Sequence, residues 1–216
     1  MPTDLVYLVD IDNTLLDNDA VIADLKRHLR AAFGAEGEQR YWAIFEELWQ
    51  ELGYADYLGA FQRFRVERPR DQQAIGAAQF LLTYPFAERV FPGALDALAV
   101  LRRRATVVIL SDGDAVAQPA KAARSGLQDA VGGAVLIYIH KEEMLDDVEL
   151  RYPARRYVMV DDKMRILAAI KAIWRERVTT VFVRQGSYAM NQAEVARYPP
   201  ADVDIDQIGD LARVAL

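Results

Sequence analysis

Cysteine is absent from the 216 residues. That excludes a disulfide framework, a thiolate metal site and a cysteine nucleophile, and it accords with a reducing compartment. Basic excess is also missing: 26 Lys and Arg stand against 32 Asp and Glu, a formal net charge of −6. Nucleic acid is therefore not the expected partner, because phosphate backbones attract basic surfaces. An acidic protein with an anionic substrate needs local positive charge or a metal to hold it. Long apolar runs are missing too. The first run, Leu5 to Val9, stops at Asp10, far too short for a signal h-region or a membrane span. No membrane association is expected, and the cytoplasm is the expected compartment. Internal repeats, low-complexity tracts and long charge runs are absent.

What is present reads as an α/β protein. The apolar fraction of 52% and charged fraction of 27% are ordinary for a globular chain. The length suits one sizeable core, or a core with a small accessory domain. Five short apolar runs predict buried strands: Leu5–Val9, Thr106–Leu110, Ala134–Ile139, Tyr157–Val160 and Val178–Val183. Most lack period-two alternation, which fits strands covered on both faces of a parallel sheet. Helical spacing lies between the later ones, with Leu95, Leu98 and Leu101 on one face, and Ile166, Leu167, Ile170, Ile173 and Trp174 on another. Strands alternating with helices predict a doubly wound, mainly parallel sheet.

The stretch from Asp17 to Arg89 breaks this alternation. Val21, Ile22, Leu25, Leu29 and Phe33 recur at helical spacing, followed by Trp42, Phe45, Leu48, Trp49 and Leu52. Phe91-Pro92-Gly93 punctuates the end. The expected organisation is an α/β core from residues 1–16 and 91–216, with a helical insert at 17–90 over the carboxyl edge of the sheet. Hinges are expected near Leu16–Asn18 and Ala87–Pro92. Tyr198 to Asp202 reads as a loop leading to a last short strand and helix.

The acidic residues fall where the strands end. Asp10-Ile11-Asp12-Asn13-Thr14 follows the first strand, Ser111-Asp112-Gly113-Asp114 the second, Lys141 the third and Asp161-Asp162 the fourth. Open α/β sheets bind ligands beyond the carboxyl ends of their strands, where strand order reverses. If strands one and four are neighbours there, Asp10 converges with Asp161 and Asp162. Carboxylates sharing a cleft repel, so a hard cation must neutralise them. Oxygen ligands without His or Cys point to Mg²⁺.

These four segments resemble the motifs of the haloacid dehalogenase-like (HAD) superfamily, in order and spacing over nearly the whole chain. The family's Asp-x-Asp-x-Thr is matched by Asp10 to Thr14, its strand-closing Ser or Thr by Ser111, its lysine by Lys141, and its acidic pair by Asp161-Asp162. The helical insert resembles the family's C1-type cap. The resemblance implies a Mg²⁺-dependent phosphohydrolase acting on a small phosphorylated metabolite. Asp10 would attack phosphorus to form an aspartyl-phosphate. Asp12 would protonate the leaving oxygen and then deprotonate water. The metal would be held by Asp10, the Asp12 carbonyl and Asp162, with Asp161 in support. Ser111, Asp112 and Gly113 would line the phosphate position, with backbone N–H groups near Asp12 and Gly113 donating, and Lys141 would neutralise charge between phosphate and Asp10. The family's frequent Lys-Pro is here Lys141-Glu142, which leaves Lys121 as an alternative lysine. A second acid four or five residues after the pair is replaced by Ile166 and Leu167.

Other residues read more plainly. His28 is expected on a helix surface, and Lys163 facing solvent. The aromatics of the insert are expected to pack its helices. Arg63, Arg65, Arg68 and Arg70 are expected on a solvated face. His140, beside Lys141, could orient the site. Three other activities remain open: a phosphomutase or phosphotransferase with the same core, a dehalogenase, and a scaffold that binds without catalysis. A dehalogenase needs neither the second aspartate nor a metal. The oligomeric state is open.

Overall fold

The computed structural model of the chain describes residues 3–214. Six strands form one sheet, β1 (Thr3–Val9), β2 (Thr106–Asp112), β3 (Val135–Tyr138), β4 (Ala154–Asp161), β5 (Val178–Val183) and β6 (Val203–Ile205). Their order is β3-β2-β1-β4-β5-β6, and every neighbouring pair is parallel. The chain steps outward from β1 to β3, then returns and steps the other way from β4. The reversal lies between β1 and β4, where Leu8 pairs with Met159 and Val9 with Val160.

Alternate strand residues point to opposite faces, and both faces are covered. Tyr7, Val9, Val107, Ile109, Val158 and Val160 enter one buried cluster. Val6, Leu8, Val108, Leu110, Tyr157 and Met159 enter the other. This double burial is why the strands read as unbroken apolar runs. The boundaries differ slightly from expectation. β2 runs on through Ser111 to Asp112, and β4 begins at Ala154 and ends on Asp161. Polar residues at a strand's carboxyl end carry no apolar signal, yet the ladder continues through them.

Between β1 and β2 the described chain forms α1 (Asn18–Leu52), α2 (Tyr57–Glu67) and α3 (Gln73–Thr83), then α4 (Ala94–Arg102). The later helices are α5 (Ala117–Arg124), α6 (Leu127–Ala130), α7 (Leu145–Arg151), α8 (Met164–Trp174), α9 (Gly186–Met190) and α10 (Gln192–Val195). Asp17 starts α1 by accepting from the Ala20 N–H at 2.9 Å, the usual way an Asp satisfies an orphan donor. The chain enters and leaves the insert side by side. Leu16 and Val90 form an antiparallel bridge. The Asp17 N–H donates to the Arg89 carbonyl (2.8 Å), and the Phe91 N–H to that of Leu15 (2.9 Å).

Several helix faces are rotated from expectation. α1 is broken at Gly34, with φ 70° and ψ −177°, a conformation that favours glycine. The break re-phases the buried face, which is Val21, Leu25 and Leu29 before it and Tyr41, Ile44 and Leu48 after it. Trp49 and Leu52 lie at the outer edge of the expected stripe, and Trp49 is 43% exposed. Leu95 and Ile173 are exposed as well. They lie one position off the buried stripes through Ala94, Ala97, Leu98 and Leu101, and through Ile166, Leu167, Ile170 and Trp174. No helix among the described residues is long and apolar enough to cross a membrane.

The insert and the sheet share a core. Leu25, Leu29, Tyr41 and Phe64 belong to the same buried cluster as Tyr7 and Val9. Phe64 is fully buried and packs edge-on to Phe33 and Tyr41. Phe64→Ala should cost about 3–5 kcal/mol. Because the core is continuous, urea unfolding of the variant should remain one cooperative transition at a lower midpoint. Two separated transitions would show that insert and sheet unfold independently.

Candidate functional site

Residues from four strand ends meet at the reversal point. Asp10 extends the β1–β4 ladder, its N–H donating to the Val160 carbonyl at 3.0 Å, and its side chain turns into a buried pocket. Lys141 follows β3 and is 1% exposed. Its Nζ donates to Asp10 Oδ1 at 2.6 Å and to the Leu110 carbonyl at 3.3 Å, and lies 2.6 Å from Asp161 Oδ2. The other oxygen of Asp161 accepts from the Lys163 N–H at 2.8 Å. Asp162 is fully buried, and neither of its carboxylate oxygens has a hydrogen-bond partner. Oxygens of Asp10, Asp161 and Asp162 lie within 4.8 Å of one another.

Burial dominates the electrostatics here. It pushes the Asp162 carboxyl well above the ordinary range, and the Asp161 charge adds to the push. Burial raises Asp161 too, against the pull of Lys141. For Lys141 burial works against the charge, but Asp10, Asp161 and Asp112 outweigh it and keep the ammonium protonated. Asp112 accepts from the Lys141 N–H at 2.8 Å. Burial lifts its pKa to about 6, opposed by the Lys141 ammonium. A buried carboxylate with both oxygens unpartnered is costly. Asp10, Asp161 and Asp162 could hold a hard divalent cation, which would supply what those oxygens lack.

Asp12 belongs to a second network. Lys121, on α5, donates to Asp12 Oδ1 at 2.6 Å and to Asn18 Oδ1 at 3.0 Å. Lys141 is thus the lysine that reaches Asp10, and Lys121 the one that reaches Asp12. Gln118 donates to Ser111 Oγ at 2.9 Å and approaches Asp12 Oδ2 at 3.4 Å. The Gly113 N–H is spent on the Tyr138 carbonyl at 2.9 Å. It continues the β2–β3 ladder, so any backbone donor to a phosphate here is a neighbour of Gly113 and not Gly113 itself. Gly113 matters for space instead: a Cβ there would stand 2.6 Å from that of Gln118.

A cavity of about 340 Å³ opens beside these groups, between the sheet ends and the insert. Asp12, Asn13, Asp112, Gly113 and Lys121 line it, and so do Phe45, Trp49, Tyr54 and Tyr57. Asp10, Ser111, Lys141 and the acidic pair are buried beside these lining residues at the strand ends. Lys163, expected to face solvent, lines the cavity with its ammonium 5.0 Å from the Tyr188 ring centre. Burial lowers its pKa, but Asp10, Asp162 and Asp161 pull harder and raise it. His140 also lines the cavity. His28 is half-buried and stacks on Phe80 at 4.4 Å. The arginines at 63, 65, 68 and 70 do not line the cavity; Arg63 pairs with Glu51 and Arg68 covers Phe64. Of the insert aromatics, Phe33, Tyr41, Phe61 and Phe64 only pack, Phe45 and Tyr57 pack and also line the cavity, and Trp49 and Tyr54 line it.

Sequence reasoning missed Gln118, Asn18 and Tyr57. The Tyr57 pKa is raised by burial and by the nearby Asp12 charge, against a hydrogen bond with Asn18. The signal available for Gln118 was its spacing: residues 118 and 121 share a helix face, and both are polar on the buried side of α5.

The acidic trio generates a prediction. The folded-state pKa values of Asp161 and Asp162 lie above the ordinary 3.8. Without a cation, stability is thus fully present below that value and lost as pH rises through the raised range. Asp162→Asn removes part of the loss. In chelator, its advantage over the wild type should grow from about pH 4 to pH 7. Mg²⁺ at about a hundred times its Kd should add about 2.7 kcal/mol to the wild type and little to the variant. Thermal melts at several pH values, with Mg²⁺ or chelator, measure both effects.

A model of haloacid dehalogenase-like hydrolases matches residues 6–173. No curated protein matches the chain. Among solved structures, a Burkholderia xenovorans LB400 protein assigned to the haloacid dehalogenase-like hydrolases is 60% identical over 100% of both chains, with a TM-score of 0.95. L-2-haloacid dehalogenase of Xanthobacter autotrophicus shares the fold at 19% identity, covering 99% of this chain and 98% of its own, with a TM-score of 0.66. A magnesium-bound HAD-hydrolase family protein of Bacillus subtilis, YfnB, shares it at 17% identity over 98% of each chain, with a TM-score of 0.63. With its parallel sheet, its convergent aspartates and a family match over most of its length, the chain belongs to the haloacid dehalogenase-like hydrolases.

Proposed function

We propose that the protein is a Mg²⁺-dependent phosphomonoester hydrolase that works through an aspartyl-phosphate on Asp10. The observation that carries this reading is the buried trio Asp10, Asp161 and Asp162, with both Asp162 oxygens unpartnered, next to a second aspartate at residue 12. Displacing halide from carbon needs neither. The magnesium in the Bacillus subtilis structure accords with this reading. A bound Mg²⁺ would offset repulsion between the Asp10 carboxylate and an incoming phosphate.

The chain's own residues divide the chemistry. An Asp10 carboxylate oxygen forms a bond to phosphorus while the ester P–O bond breaks. The leaving oxygen takes that electron pair, and a proton from the Asp12 carboxyl. Water then attacks the same phosphorus, Asp12 takes its proton, and the bond from phosphorus to Asp10 breaks. Inorganic phosphate and the Asp10 carboxylate are restored. Lys121, 2.6 Å from Asp12, suits the ionised form that receives the proton from water. Lys141 holds Asp10 in place and carries positive charge towards the phosphoryl group. Ser111, fixed by Gln118, presents a hydroxyl at the end of β2. Phosphoryl transfer needs mainly this positioning and charge compensation. The helices of residues 17–90 act as a cap, with Tyr57 and Asn18 closing on Asp12. The substrate is a small phosphorylated metabolite, and no nucleic acid or membrane enters the reaction.

Steady-state hydrolysis of a phosphomonoester should stop in excess chelator and return with Mg²⁺. Asp10→Asn should abolish it. Asp12→Asn should slow it about a hundredfold or more, and phosphoenzyme should accumulate with an activated leaving group, visible by intact mass after rapid quench. Full activity in chelator, or in Asp10→Asn, would remove the mechanism. Release of inorganic phosphate in step with the alcohol, with no transfer to added alcohols, separates hydrolase from phosphotransferase.

A further inference from the structure

The cavity has two unlike ends. Towards the sheet stand Asp12, Asp112 and the two lysines at 121 and 163. The far wall is mainly apolar, with Val21, Ile22, Phe45, Trp49, Leu81 and Phe86, and the Glu46 carboxylate among them. Polar side chains between them are largely committed within the protein. Asn18 is held by Lys121 at 3.0 Å, Gln118 by Ser111 at 2.9 Å, and Arg165 by Glu142 at 2.5 Å. Asp114 accepts from the N–H groups of Val116 and Ala117 at 2.8 and 2.7 Å, and Glu46 from Gln50 at 3.1 Å. Among the described cavity side chains, Trp49, Tyr54, His140, Tyr188 and the Lys163 ammonium make no hydrogen bond, and Lys163 lies over the Tyr188 ring.

Such a wall discriminates. A sugar brings several hydroxyls, each needing a partner once water is expelled, and a hydroxyl buried without one is penalised. A flat apolar group loses nothing by desolvation and gains contact with the rings. The size also fits: about 340 Å³ lies at the small end of ligand cavities, room for a phosphate and one or two rings. Phe45 is already stacked on Tyr57 at 4.7 Å, which fixes its ring as one wall. Trp49 is 43% exposed and has its indole free for an occupant.

We propose that the leaving group of the substrate is an aromatic alcohol that lies against Trp49 and Phe45, and that sugar phosphates are poor substrates. This rests on the phosphohydrolase reading and specifies the substrate class of the same site. The bonds made and broken are those already described, with the aromatic alcohol taking the electron pair of the P–O bond and the proton from Asp12.

The test compares esters of primary alcohols, so that leaving-group chemistry is alike. Benzyl phosphate and 2-naphthylmethyl phosphate are set against ethyl phosphate, glucose 6-phosphate and ribose 5-phosphate, all with Mg²⁺. The aromatic esters should exceed the others in kcat/KM by at least about tenfold. Trp49→Ala should shrink the naphthylmethyl-to-ethyl ratio by about tenfold, through KM, and Tyr54→Ala should shrink it less. Sugar phosphates turned over as well as the aromatic esters, or a Trp49→Ala effect equal for all esters, would overturn the proposal. A second arm titrates 2-naphthylmethyl phosphate and glucose 6-phosphate calorimetrically into Asp10→Asn, with and without Trp49→Ala. If no ester is hydrolysed but the aromatic one binds more tightly through Trp49, the reaction falls and the cavity assignment stands. If neither preference appears, the cavity assignment falls.

Discussion

Negative charge held out of water at the carboxyl ends of β1 and β4 is the constraint on which the rest of the site is built. Asp10, Asp112, Asp161 and Asp162 are brought together there, and the facing cations are Lys141 and Lys163. Two ammonium groups cannot neutralise these four carboxylates, three of them buried and Asp112 half-buried. The remainder must be met by a proton or a cation, because unpaired buried charge is among the most expensive features a fold can hold. A sheet buried on both faces can hold it. The strands cannot slide, since a shift of one residue would turn every buried side chain to the wrong face. The repulsion is therefore contained by packing that extends well away from the acids.

The same frame separates two aspartates that the sequence places side by side. Asp10 and Asp12 follow one strand, but their partners come from different parts of the chain. Lys141 arrives at Asp10 from the end of β3, and Lys121 arrives at Asp12 from α5. Asp10 is enclosed, whereas Asp12 stands on the cavity wall. Two chemically identical side chains thus receive different surroundings, as the roles proposed for them, nucleophile and proton carrier, require.

Much of this was legible in the sequence, for reasons that also explain the rest. The strands were legible because burial on both faces leaves unbroken apolar runs such as Val107 to Leu110. The acids were legible because each stands directly after such a run, where an apolar pattern stops and chemistry begins. Lys163 was misread because a lysine beside two aspartates looks like a solvated charge. Its ammonium is drawn in by Asp10, Asp162 and Asp161 and lies over the Tyr188 ring. Gln118 carries no motif, and its reach to Ser111 depends on a missing side chain at Gly113. In the second half of α1, Trp42, Phe45 and Leu48 pack against the core as their spacing suggests, while Trp49 and Leu52 lie at the exposed edge of that stripe. Such facts arise from contacts between distant segments, which local spacing does not encode.

The antiparallel contact between Leu16 and Val90 makes the insert an excursion that begins and ends at one point. The β1 loop and the approach to α4 meet there whatever lies between them. The register of β1 against β4, and with it the spacing of the aspartates, is set on the sheet side of that seam, while the helices beyond it complete the core that Tyr7 and Val9 enter. The aspartates thus stand on one side of the seam, and Phe45, Trp49, Tyr54 and Tyr57 of the cavity wall on the other. One group is held at the ends of strands far apart in sequence, while the other comes from a single continuous stretch of chain.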